Sequence, residues 1–146
     1  MWNKVSFIYL IVCAVTFTLL SIFPRDGIVL VQPVLLIASL TYPFTLIWMK
    51  SKTGFWKGFL QLLLILSFAL ICGFIAGLLS NAYYQYQRLG NEFHLLEALG
   101  WNFGESLIWF IALEVIPAAI IAVVCYPIGH LASRLLVRKL PKVEEH

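Results

Sequence analysis

Four uninterrupted apolar runs, Val5 to Phe23, Ile28 to Met49, Gly58 to Ser80 and Ser106 to Pro127, occupy most of the chain and decide what it can become. Each is about 20 residues long, the length an α-helix needs to cross the ~30 Å hydrocarbon layer of a bilayer. With 62% of 146 residues apolar and 12% charged, no soluble core accounts for them. Lipid offers no hydrogen bonds, so each backbone N–H and C=O must be satisfied inside its own segment, and helices are the form that does this. The expected fold is all-α: a polytopic membrane four-helix bundle forming one integral membrane domain, 1–146, with no soluble domain attached. The first run follows Lys4 as a signal peptide's would. Its length of about 19 residues and the lack of a small-x-small site before Pro24 read instead as a retained span.

Charge gives the orientation. Of the ten Lys and Arg residues, Lys4, Lys50, Lys52, Lys57, Arg134, Arg138, Lys139 and Lys142 fall on one side of this ladder, and only Arg25 and Arg88 on the other. Positive residues are retained in the cytoplasm, so both termini and the 2–3 connector are expected there, with a basic cytoplasmic tail over 131–146. Asp26, Glu92, Glu97 and Glu105 all fall outside. Trp2, Trp48 and Trp56 mark the inner interface, and Tyr83, Tyr84, Tyr86 and Trp101 the outer one, where amphipathic rings favour the headgroup layer. The net charge of +3 follows from topology and implies no nucleic-acid partner.

"PRDG" suits a tight turn between spans one and two, whereas the outer connector 81–105 is long. Inside it "NEFHLLEALG" predicts a short amphipathic helix: Asn91 as N-cap, Glu92 in the positive first turn, a stripe of Phe93, Leu96 and Leu99, and Gly100 as the stop. Such a helix would lie in the outer interface. "VQPVLLIASLTYP" and "VIPAAIIAVVCYP" align without gaps, each carrying two prolines and ending in Tyr-Pro; the match reads as a duplication or as chance in a biased alphabet. Pro43, Pro117 and Pro127 predict kinks in spans two and four.

Burial does not hold helices together in lipid; close backbone contact and polar bonds do. Span three carries Ala69, Gly73 and Gly77, and span four Ala118, Ala122, Cys125 and Gly129. Extended back one turn, the second stripe reaches Glu114, which therefore faces the protein interior, with span three as the expected partner surface. Counted from Glu105, Glu114 lies about 13 Å down the helix, near mid-membrane. With no basic side chain at that depth it is expected to hold its proton and donate a hydrogen bond, with Thr16, Ser39, Ser67 or a carbonyl freed by Pro117 as the acceptor.

No catalytic constellation is legible. Glu92, His94 and Glu97 read as a solvated face, His130 as an interface residue, and Cys13, Cys72 and Cys125 as packing residues, so no metal site and no cofactor are expected. "GFWKGFLQLLLI" and "LEVIPAAII" resemble a family of small four-span bacterial membrane proteins, grouped as a domain of unknown function. The likeness covers about half the chain and implies an inner-membrane location and no activity. The sequence thus favours a non-enzymatic accessory or assembly subunit, immunity-like in size, that meets another membrane protein or itself through its small-residue faces; the alternative is a small oligomeric transporter or channel using Glu114.

Overall fold

A computed structural model describes residues 4–22, 27–49, 53–90 and 94–139. Those residues are almost wholly helical: α1 (Lys4–Ile22), α2 (Gly27–Trp48), α3 (Phe55–Leu89), α4 (Leu95–Phe110), a π-helical turn (Ile111–Val115) and α5 (Ile116–Lys139). α4, the π turn and α5 run without a break, so the described residues make four long helices, each long and apolar enough to cross a membrane. The surface agrees. Phe7, Ile11, Val15 and Leu19 on α1, and Leu60 and Phe68 on α3, are exposed, an apolar exterior that suits lipid and not water. The protein is a multi-pass membrane protein.

α3 and the fourth helix are longer than the apolar runs predict. α3 continues through Asn81 to Leu89 and stops at Gly90, whose φ of 57° a side-chain-bearing residue rarely adopts. α4 starts at Leu95 and passes through Gly100 unbroken, so that glycine ends nothing. The stretch expected as a 25-residue loop with a separate short helix is thus mostly the helical continuation of both neighbours. The proposed cap at Asn91, with Glu92 and Phe93, lies outside the described residues, as do the "PRDG" turn up to Asp26, Lys50, Lys52, Trp2 and the tail from 140.

α1 packs chiefly along α3, and α2 chiefly along α5; α1 also meets α2. Both main pairs are parallel, as shown by Gly73 beside Phe17 and Ser21, and Gly129 beside Leu40 and Pro43. The two small-residue stripes therefore do not face each other, which corrects the expected span-three partner for the span-four stripe. Ala69 and Gly73 serve α1, while Ala118, Ala122 and Gly129, all buried, lie on the helix that packs on α2. A residue stripe marks where backbones can approach but carries no label for its partner.

The core joins α1, α2, α3 and α5 through Phe17, Leu35, Leu62, Ile65, Tyr42 and Tyr126, each nearly without exposed surface. At the basic end, near Lys4 and Lys57, a buried polar cluster crosses three helices. The Ser6 and Tyr42 hydroxyls lie 2.8 Å apart, and each donates to Gln61 Oε1, at 3.3 and 3.2 Å. Beside it the Tyr9 hydroxyl bonds Thr41 and Thr45, and the Tyr126 hydroxyl donates to the Phe55 carbonyl at 3.2 Å.

Candidate functional site

Glu114 sits in the π turn. There the Ile116 N–H donates to the Ile111 carbonyl, one residue further back than in an α-helix. The cause lies two positions on: Pro117 has no N–H, and its ring would crowd the Leu113 carbonyl in a regular helix. Widening one turn relieves that crowding and re-aims the residues within it. Pro33, Pro43 and Pro127 are accommodated inside α2 and α5.

The re-aimed Glu114 lines a cavity of about 300 Å³. Its walls are Leu20 and Ser21 of α1, Val31 of α2, Gly73 to Asn81 of α3, and Ser106, Trp109, Phe110 and Leu113 of the fourth helix. The space exists because of how the helices pair. With α1 committed to α3 and α2 to α5, α1 makes no backbone contact with the fourth helix among the described residues, and the gap between them stays open. Trp109 and Leu113 are 56% and 40% exposed, so the opening faces sideways, and exposed Asn81 borders its far end. Glu114 is half-buried, and among the described residues no hydrogen bond or ion pair reaches its carboxylate.

Glu114 shares its cavity with Ser21, one residue from the end of α1, and with Val31, four residues into α2 or about 6 Å of helix rise.

The expected polar partners go elsewhere. Thr16 donates to its own Val12 carbonyl at 2.7 Å and borders a second, more apolar cavity of about 270 Å³ between α1 and α2. Ser39 is fully buried on α2, with no hydrogen-bond partner for its hydroxyl among the described residues. Ser67 is exposed on α3. None of the three lines the Glu114 cavity. Aromatic rings do: Phe74 lies 4.6 Å from Phe110, ring centre to ring centre, and 5.9 Å from Phe103.

His130 rests against Phe55 and Tyr126 at the basic end, its Nε2 buried and without a hydrogen-bond partner among the described residues, and His94 is exposed at the start of α4. The three cysteines are free, Cys13 buried and Cys72 and Cys125 half-buried. Among the described residues no three His, Cys, Asp or Glu side chains come together as a metal set. No family model matches the chain, and no curated protein or solved structure resembles it at a significant level.

Proposed function

We propose that this is a small membrane binding protein or transporter whose working site is the Glu114 cavity. The observation that carries the reading is an acid turned by a π-helical turn into a space of about 300 Å³, where no partner meets it among the described residues. An ionisable group within a membrane segment is expensive, and one left unsatisfied beside an open volume is ready for an incoming group. The contrary expectation, assembly through small-residue faces, loses its main support because those faces are occupied within the chain. One observation still favours it as a second reading: Ile116, Ile120 and Val124 form an exposed apolar face on the fourth helix, open to lipid or to a partner.

In this reading the four helices form a bundle in the plasma membrane, with both termini cytoplasmic and the outer part of α4 as the amphipathic element at the external face. The bacterial inner membrane follows from the resemblance in spans three and four. The lysine and arginine distribution supports the orientation. A cysteine replacing Tyr86 should react with an impermeant maleimide on intact cells, and one replacing Lys57 only after permeabilisation; the reverse pattern overturns the orientation.

Function is tested on protein reconstituted in liposomes carrying an internal pH dye. Glu114→Gln keeps hydrogen bonding and removes the titrating group, so proton-coupled flux should fall at least tenfold while the protein stays monodisperse. A neutral Gln variant together with a Glu114→Leu variant that falls apart on mild detergent extraction would transfer the role to assembly.

A further inference from the structure

Resting on that reading, we propose that the Glu114 cavity binds a small organic cation with an apolar body, an ammonium type of amphiphile that arrives through the bilayer. Three independent features of the site select this chemistry.

The first is charge. Among the described residues Glu114 is the one ionisable side chain lining the cavity, with no lysine, arginine or histidine beside it. An anion would meet an acid with nothing to offset it, and a neutral apolar molecule would leave the acid unpaired. A cation satisfies it.

The second is the spread of oxygen atoms. A hard metal ion needs six or so oxygens converging at about 2.0–2.6 Å. Here the other side-chain oxygens come from Ser21, whose hydroxyl donates to its own Phe17 carbonyl, and from Asn81 and Ser106. Asn81 and Ser106 each stand eight residues, or about 12 Å of helix rise, from Gly73 and Glu114, the deep end of the space. No shell for a metal ion forms, whereas an elongated molecule with its charged head at Glu114 and its other end near Asn81 has the right proportions.

The third is the wall between those ends. Phe74 and Phe110 line it, with Phe103 against Phe74 and the Trp109 indole at the exposed flank. Aromatic faces attract alkylammonium groups and contact apolar bodies equally well. The exposed Trp109 flank stands five residues, or about 7.5 Å of helix rise, outward of Glu114, near the ends of α1 and α2, where amphiphilic cations collect in a membrane. The volume of about 300 Å³ limits the ligand to a small one.

The probe is benzyltrimethylammonium, with neopentylbenzene, its uncharged isostere, as control. Binding is measured by equilibrium dialysis of protein in lipid nanodiscs, after subtraction of empty discs. One saturable benzyltrimethylammonium per chain is expected, with the isostere at least tenfold weaker. Glu114→Gln should lose at least tenfold in affinity, and Phe74→Leu severalfold. Equal binding of the two probes overturns the proposal on the wild-type protein alone, however the variants fold, and so does a Glu114→Gln variant of unchanged affinity. Glu114-dependent proton flux without benzyltrimethylammonium binding overturns this ligand assignment and leaves the working site intact. Absence of both flux and binding overturns both.

Discussion

Gly129→Val is expected to prevent stable assembly of the four helices, with aggregation on extraction into mild detergent and a loss of about 3 kcal/mol or more. A methyl group built on Gly129 falls 2.6 Å from the Leu40 carbonyl oxygen, 3.2 Å from the Leu40 Cα and 2.9 Å from the Pro43 ring. Backbone and a ring have no rotamer with which to step aside, so α5 must move away from α2. That contact is one of the two main helix pairs, and in lipid no hydrophobic penalty pushes separated helices back together. The glycines supply their own graded controls. Gly104→Ala meets nothing within 4 Å and should be neutral. Gly77→Ala would touch Ser21 at 3.8 Å, ordinary contact, and should be tolerated. Gly73→Ala faces the Ser21 hydroxyl at 2.9 Å and the Phe17 carbonyl at 3.3 Å, and should fall between. Thermal loss of the monodisperse peak in size-exclusion chromatography would order the four. Tolerance of Gly129→Val would mean that α2 and α5 do not pack at this point.

The same glycines show what the chain discloses in advance. Four spans were legible because an apolar run of some 20 residues has one stable form in lipid. The small residues were legible as a class, of which Ala69, Gly73, Ala118, Ala122 and Gly129 are buried and Gly77 and Cys125 half-buried. Pairing was not, because parallel α1–α3 and α2–α5 contacts need the same small residues that any other pairing would use. Helix ends also escaped. The polar stretch from Asn81 to Arg88 reads as loop by hydropathy, yet nothing in it forbids helix before Gly90, and Gly100 shows that one glycine does not end a helix that its neighbours continue.

Within the candidate site, Glu114 was legible as the lone acid of an apolar run, while the residues around it were not. Its aim depends on the π turn, a local answer to Pro117. The buried cluster of Ser6, Tyr42 and Gln61 was missed, although a signal existed: Ser6 lies two residues past Lys4 and Gln61 four past Lys57, so both stand at the basic end of their spans. Polar residues at matching depth on adjacent spans are candidates for one another.

Tyr42→Ala and Tyr126→Ala are expected to be the most damaging truncations of the core, each by about 4 kcal/mol. These tyrosines end the two aligned Tyr-Pro segments, and they are the two largest side chains buried essentially to completion, at 0% and 1% exposure. The alignment thus marks two equivalent anchors whether or not duplication produced it. Their hydroxyls differ. That of Tyr42 lies inside the cluster with Ser6 and Gln61, where its loss leaves two buried polar groups short of a partner, so Tyr42→Phe should cost about 1 kcal/mol. That of Tyr126 makes one part-buried bond to the Phe55 carbonyl, and its ring rests against Phe55 and Phe59, so Tyr126→Phe should cost distinctly less than Tyr42→Phe. A denaturing-detergent titration followed by circular dichroism or tryptophan emission reads all four variants on one scale. If Tyr42→Ala unfolded no more easily than Tyr42→Phe, the ring would not be the anchor of α2, and the core joining α1, α2 and α3 at the basic end would have to be redrawn.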